Sequence, residues 1–149
     1  MWLNKGGGSL ATPFQRIYDK FLAQIDDTDL LKLENEDIES FLFNYLENSI
    51  VDFKKCKKDL IKNINKENQQ FDVELDLEEV YILSLGMVLH WLQPQIQRLQ
   101  LIRQSLGDRD FKLSSNWQTL DKLNTLEEKT RRNLKNYIIS YTFNDLKYR

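Results

Sequence analysis

The chain has 149 residues, of which 41% are hydrophobic and 30% charged, and its formal net charge is −2 at pH 7. This length suits one domain with a substantial core, and the composition excludes the low-hydrophobicity, high-charge class of disordered chains. The small net charge excludes a global basic field that would capture nucleic acid. A single cysteine and a single histidine exclude an internal disulfide, a thiolate zinc cage and a two-histidine metal motif.

The start of the chain carries no recognisable targeting or membrane signal. No apolar run approaches the ~20 residues that span a membrane, and the first dozen residues lack the apolar centre of a signal peptide. We therefore expect no membrane contact and a product that is cytosolic or is assembled in a cytosol. Residues 1–11 include Gly6-Gly7-Gly8-Ser9 and are predicted to form a flexible lead.

Two amphipathic helices are predicted in the first half of the chain. The first has Thr12 as its N-cap and Pro13 at its first position, and its apolar stripe continues to Ile25. The second is predicted from about 36 to 61, with acidic residues at its start and lysines near its end, as the helix dipole favours. Residues 63–73 are rich in Asn and Gln and are predicted to be a loop.

The third helix is predicted to be central. Asp76 and Glu79 have the spacing of a capping box. The helix that follows is apolar over most of its circumference, which is typical of a helix at the centre of a bundle or within an assembly. Pro94 is expected to kink or end it, and Gly107 is expected to act as a left-handed cap where the resumed helix stops.

The last helix is predicted to be the longest. It follows a connector at 108–115, in which Phe111 and Leu113 suit a short extended piece, and it spans about 117–141. The predicted fold class is therefore all-α, a bundle of about four to five helices with a long C-terminal helix and flexible ends. Its parts are the lead at 1–11, a helical domain at 12–141 and a C-terminal tail at 142–149.

No residue pattern of a known catalytic site occurs. The glycine run lacks the features of a phosphate-binding loop, and no nucleophile elbow is present. His90 lies inside the third helix and Cys56 among lysines, and a structural role explains each more simply than catalysis does. We therefore predict that the chain is not an enzyme and holds no cofactor and no metal.

Basic side chains cluster in two places, in a chain whose residues 26–39 are strongly acidic. Such asymmetry suits head-to-tail contact between copies, although ordinary solvated surfaces explain it equally well. The clusters are interpreted as a face for DNA in a channel or for an acidic partner. The residues assigned to this face are Lys54, Lys55, Lys57, Lys58, Arg131 and Arg132.

Several stretches together resemble one family. They are Thr12-Pro13-Phe14 with the aromatic and aliphatic residues after it, Ser49 to Leu60, Met87 to Leu92, Leu106 to Lys112, and Tyr141-Thr142-Phe143. These stretches are similar to the head–tail connector proteins, also called adaptor or neck proteins, of tailed phages of Gram-positive bacteria. The resemblance extends from about Thr12 to Tyr141.

The resemblance implies a non-enzymatic virion protein. It implies a homo-oligomeric ring of twelve copies that sits under the portal protein. It also implies that this ring contacts a downstream neck or tail protein and extends the DNA channel, with non-specific DNA contact. The 17 aromatic residues exceed what a simple bundle needs, so neighbouring copies are expected to cover some of them. The predicted subunit or portal contacts are Trp2, Trp91, Phe111, Trp117, Tyr141, Phe143, Tyr148 and Arg149.

Two other interpretations stay open at this stage. A free-standing helical regulator that binds other proteins would have the same core and would remain a monomer or dimer. A DNA-binding regulator would use the basic clusters and would bind plain duplex DNA with a steep dependence on salt.

Overall fold

The computed structural model describes residues 10–25 and 35–147. Within these ranges the chain is all-α apart from one small sheet, so the predicted fold class is confirmed. The helices are α1 (Phe14–Leu22), α2 (Asn35–Asp52), α3 (Leu77–Leu106), α4 (Asp108–Leu113) and α5 (Asn116–Lys147). The strands are β1 (Thr12–Pro13), β2 (Ile64–Asn65) and β3 (Gln70–Phe71). Residues 1–9 of the predicted lead lie outside the described residues.

Helix α1 begins one residue later than the sequence indicates, because Thr12 has another role. Pro13 occupies the N-cap position. The Thr12 hydroxyl donates to the carbonyl of Val73 and accepts from the N–H of Leu75, both at 2.8 Å. Thr12 is therefore a buried tie between the start of α1 and the segment that leads into α3, which corrects its predicted role as a helix cap.

Helix α2 ends at Asp52, nine residues before its predicted end. The four lysines Lys54, Lys55, Lys57 and Lys58 therefore lie in a loop and not on a helix. Tertiary contacts explain the difference: the Lys57 N–H donates to the Tyr141 hydroxyl at 2.9 Å, and the Lys58 ammonium reaches Glu79 at 2.6 Å. Helix propensity is a weak preference that such contacts override.

The predicted loop at 63–73 contains a short hairpin. Strands β2 and β3 pair antiparallel, with Ile64 opposite Phe71, and β1 pairs with the other edge of β3. Phe71 has no exposed surface and stacks edge-on against Phe14, with ring centroids 5.1 Å apart. One buried aromatic ring therefore anchors the hairpin to the first turn of α1, although the segment is otherwise polar.

Helix α3 is the central helix, as its all-round apolar pattern predicts. The capping box between Asp76 and Glu79 is present, and every residue from Ile82 to Leu89 is buried. Pro94 does not end the helix, which continues to Leu106, since buried Leu92 and Ile96 hold it on both sides of the proline. Gly107 caps it with a positive φ of 83°, although its ψ of 159° lies outside the left-handed helical region.

The connector and the C-terminal segment are more helical than predicted. Residues Asp108–Leu113 form α4 and not an extended piece, with Asp108 and Asp110 in the first turn, where the helix dipole stabilises acids. Helix α5 continues past its predicted end near Tyr141 as far as Lys147, so most of the predicted tail is helical. Tyr148 and Arg149 lie outside the described residues.

Helix α3 is the helix on which the others pack: α1, α2 and α5 all contact it. Helix α5 runs antiparallel to α3, because Tyr141 near its end meets Glu79 at the start of α3. Contacts with α1 and α2 lie on the N-terminal part of α3: Phe21 stacks on Trp91, and the Ser49 hydroxyl donates to the Leu83 carbonyl at 2.7 Å.

The C-terminal end of α3 and the N-terminal end of α5 pack against few buried side chains. We call residues 97–129 the distal arm; it comprises the end of α3, all of α4 and the first half of α5. Within the arm only Phe111 and Leu120 are buried. None of the described helices is long and apolar enough to cross a membrane.

Helices α2 and α3 approach closely at Gly86. A Cβ at this position would overlap the Ser49 hydroxyl and would lie 2.9 Å from the Ser49 Cβ and 3.3 Å from its Cα. We expect Gly86→Val to lower the free energy of unfolding by about 1–3 kcal/mol, because the added methyl groups force the two helices apart. Urea unfolding followed by circular dichroism measures this. Ser140→Val, at an exposed position of α5, is the matched control, and equal stability of the two variants would contradict the close approach.

Candidate functional site

Three of the predicted contact aromatics belong to the core of the chain. Trp91, Phe111 and Tyr141 are only 8%, 3% and 2% exposed, so they are corrected from interface residues to core residues. Each is buried by neighbouring helices of the same chain and has little surface left for a second protein. Trp117 and Phe143, in contrast, are 43% and 65% exposed. Trp2, Tyr148 and Arg149 lie outside the described residues.

A fully buried carboxylate, Glu79, joins three segments of the chain. Its Oε1 accepts from the Lys58 ammonium at 2.6 Å and from the Asp76 N–H at 2.9 Å. Its Oε2 accepts from the Tyr141 hydroxyl at 2.6 Å and from the Cys56 thiol at 3.6 Å. Every oxygen of the buried carboxylate is thus paired, as a buried charge requires.

Tyr141 fixes the C-terminal part of α5 to the loop after α2. Its hydroxyl donates to Glu79 and accepts from the Lys57 N–H, and its ring packs edge-on against Phe53 at 5.3 Å between centroids. The Lys57 ammonium lies over the same ring, 5.2 Å from its centroid. Lys57 and Lys58 therefore stabilise the chain's own fold, which reduces the charge they present to a partner.

The ionisation of this cluster follows from its contacts. Burial alone would raise the pKa of Glu79, but hydrogen bonds from Lys58, Tyr141 and the Asp76 N–H outweigh it and hold the pKa below its usual value. Burial raises the pKa of the Cys56 thiol to about 11. The thiol is therefore protonated at neutral pH, and a protonated thiol is a poor nucleophile.

The loop after α2 also lines an open cleft of about 500 Å³. Its floor is apolar, from Ile50, Phe53 and Leu60, all of which are buried. Val51 and Ile61 lie at its edge and are 57% and 69% exposed. The lining is completed by Cys56, by Asp59 and by the lysines Lys54, Lys57 and Lys58. We call this feature the lysine cleft.

The remaining polar candidates are dispersed. His90 pairs with Asp52 at 2.6 Å, across the α2–α3 contact. Arg131 pairs with Glu127 one turn before it on α5, also at 2.6 Å, whereas Arg132 is exposed. Among the described residues, no group of three or more His, Cys, Asp or Glu side chains is placed to hold a metal ion.

The distal arm presents large apolar side chains to solvent. A hollow of about 150 Å³ lies beside Trp117, with Phe111 and Leu120 among its lining residues. The exposed apolar residues of the arm are Leu101, Leu106, Leu113, Trp117 and Leu126. Large apolar side chains that share one exposed patch are typical of a protein–protein contact.

Comparison with protein-family models, with curated proteins and with solved structures found no match for this chain. The choice between the possible functions therefore depends on the sequence and the geometry of the chain itself.

Sequence patterns indicated only part of the Glu79 cluster. The capping-box spacing marked Glu79 correctly as a helix-start residue. The partnership with Lys58 and Tyr141 spans 21 and 62 residues, and no local pattern encodes such a contact.

The Tyr141 hydroxyl is expected to contribute measurably to stability. Tyr141→Phe removes one donor to Glu79 and leaves the Lys57 N–H without its acceptor, so we expect a loss of about 1–3 kcal/mol of unfolding free energy. Tyr137→Phe is the matched control on the same helix, because Tyr137 is 41% exposed and its hydroxyl meets the phenol of Tyr81 and not a buried carboxylate. Chemical denaturation measures both, and a Tyr141→Phe variant as stable as Tyr137→Phe would contradict the assignment.

The lowered pKa of Glu79 predicts a defined dependence of stability on pH. A carboxyl group whose pKa is lower in the folded state stabilises the fold above its unfolded pKa of about 4.3, and this contribution disappears as pH falls through the folded pKa. At pH 7 we expect Glu79→Gln to be less stable than the wild type by about 3 kcal/mol. The difference should shrink below about pH 4.

Glu78→Gln is the control for this experiment, since Glu78 neighbours Glu79 in the sequence and makes none of its contacts. Unfolding curves at a series of pH values measure all three proteins. A Glu79→Gln deficit that stays constant down to pH 2 would show that the charge of Glu79 does not contribute.

Proposed function

We propose that this chain is a structural subunit of the neck of a tailed phage. In this role copies form a ring under the portal in the virion, join head to tail and extend the DNA channel. Two findings support the proposal: the family resemblance in the sequence, and a helical fold whose distal arm carries apolar side chains in water.

The exposed surface of the distal arm is the observation on which the proposal depends. Leu113 is 79% exposed and Leu101 64%, and Trp117 adds a large aromatic ring at 43%. A monomer gains nothing by holding such side chains in water, whereas contact with the portal or with a downstream neck protein would remove them from water. The arm is also where the chain's own core is thinnest, so a partner would complete its packing.

The basic residues of α5 support the channel part of the proposal. Arg132 and Lys135 on α5 are exposed, and neither forms an ion pair within the described residues. Arg131 is already paired with Glu127, so it contributes less free charge than the sequence suggests. Scattered, unpaired cations of this kind suit non-specific contact with the phosphate backbone of passing DNA.

Location in the particle tests the proposal directly. We expect the protein in purified virions by mass spectrometry, and we expect density for its helices at the head–tail junction. A chain found in the infected cytosol but absent from particles would contradict the neck assignment and would favour the free-standing regulator.

A matched pair of variants tests the distal arm in the same particles. Supplied in trans to a phage that lacks the gene, Leu113→Ser/Trp117→Ser is expected to reduce incorporation by about tenfold or more, because it removes two apolar contacts. Gln118→Ser/Lys122→Ser, on exposed polar positions of the same arm that do not line the hollow, is expected to leave incorporation unchanged. Both variants should keep the melting temperature of the wild type, and equal incorporation of both would contradict a role for the arm.

A further inference from the structure

Two helices that pack on α3 carry opposite charge. Helix α2 contains five acidic and no basic residues, whereas residues 129–144 of α5 contain four basic and no acidic residues. Gly86 of α3 faces Ser49 of α2, and Tyr81 of α3 stacks on Tyr137 of α5. Because Tyr81 and Gly86 are five residues apart, they lie on different sides of α3. The outward sides of α2 and α5 therefore cannot meet within one chain.

The outward side of α2 combines acids with apolar side chains. Its exposed residues recur at alternating spacings of four and three, which place them on one side of the helix: Asp37, Phe41, Asn44, Asn48 and Val51. Glu47 is exposed at the edge of this stripe, one turn before Val51. Phe41 and Val51 are 48% and 57% exposed, and neither acid of the stripe forms an ion pair within the described residues. We call these six residues the acidic face.

The outward side of α5 has the complementary composition. Its exposed residues recur at spacings of three and four, and they are Arg132, Lys135, Ile139 and Phe143. Ile139 and Phe143 are 55% and 65% exposed, and neither cation forms an ion pair in the described part of the chain. We call these four residues the basic face. Contact with DNA phosphates requires cations alone, so the two apolar side chains favour a protein as the partner of this face.

We propose that the acidic face of one copy packs on the basic face of the next copy, with the two helices antiparallel. Phe41 and Glu47 are six residues apart, about 9 Å along a helix. The same distance separates Lys135 from the midpoint between Ile139 and Phe143. Phe41 therefore meets these two apolar side chains where Glu47 meets Lys135. The order is reversed along the two helices, so both pairs form only when the helices run antiparallel.

Charges beside the two faces agree with this orientation. Glu128 is exposed one turn before Arg132, at the end of the basic face. In the antiparallel contact it lies toward Lys54, which follows the end of α2. Two basic faces repel each other, and so do two acidic faces, so a symmetric dimer through either face is disfavoured. The contact is head-to-tail, the kind of contact that closes into a ring.

The inference rests on the proposed function and deepens it, since it names the surfaces through which copies of a ring subunit meet. It also narrows it: Arg132 and Lys135 face a neighbouring copy, and contact with channel DNA is left to other exposed cations such as Lys129. The distal arm stays assigned to the portal or the downstream protein. Self-association of the purified chain tests the inference, whereas the composition of the particle tests the proposed function.

Single charge reversals test the contact. Glu47→Lys places two cations opposite each other, and Lys135→Glu places two acids opposite each other. Each variant alone is expected to self-associate about tenfold more weakly than the wild type. An equimolar mixture is expected to recover association, because the two substituted side chains then attract each other. Sedimentation velocity at low and at moderate salt measures the wild type, both variants and the mixture.

Each reversal has a matched control on the same helix. Glu39→Lys makes the same charge change on the other side of α2, and Lys122→Glu makes it at an exposed position of α5 outside the basic face. Both controls are expected to associate like the wild type. Circular dichroism and melting temperature check that every variant folds, as the exposure of all substituted side chains leads us to expect.

Three outcomes would overturn the inference. The first is a wild-type chain that stays monomeric up to about 1 mM at low salt, since contacts weaker than this carry about 4 kcal/mol or less. The second is association that the two reversals weaken no more than their controls do, or that the mixture fails to recover. The third is binding of duplex DNA that Lys135→Glu abolishes while wild-type copies do not associate, because the basic face would then be a nucleic-acid contact. Association through the two faces in a protein absent from virions would leave the inference standing and would contradict only the proposed function.

Discussion

Burying a charged carboxylate costs several kcal/mol unless all its oxygen atoms find partners, and Glu79 has no exposed surface. Its partners come from the start of α3, from the loop after α2 and from the C-terminal part of α5. Without the loop after α2 or the C-terminal part of α5, the buried carboxylate would lose part of its hydrogen bonding. The three segments are therefore expected to order together, and the cluster ties the C-terminal part of α5 to the loop after α2.

The periodic helices could be predicted from the sequence, and contacts between distant segments could not. Spacings of three and four residues located α1, α3 and α5, because an apolar stripe must face the core. The same logic failed at Lys54 to Lys58, where the helical pattern continues but Tyr141 and Glu79 hold the chain in a loop. It also assigned Trp91, Phe111 and Tyr141 to an interface. The sequence shows that a chain has many aromatic side chains, but it does not show which helix of the same chain covers each of them. The cluster around Glu79 was recognised only as a helix start.

Packing divides the chain into a dense body and a thin distal arm, and α3 and α5 run continuously through both. In the body α3 is covered on several sides, so its position is fixed by many buried side chains. In the arm Phe111 and Leu120 are the buried side chains, and the helices are held mainly by their continuity with the body. A rigid base with an apolar, weakly packed extension suits a protein that reaches toward a partner, since binding completes a core that the chain alone leaves open.

The buried cluster around Glu79 also limits the charge that the lysine run after α2 presents to a partner. Of the four lysines between 54 and 58, Lys58 neutralises Glu79 and Lys57 lies against Tyr141, so internal contacts use half of the apparent basic cluster. What remains, Lys54 and Lys55, lies beside an apolar cleft whose lining also includes Asp59. The lysine run in the sequence therefore overstates the positive charge at this end of α2, because the fold uses part of it to hold a buried carboxylate.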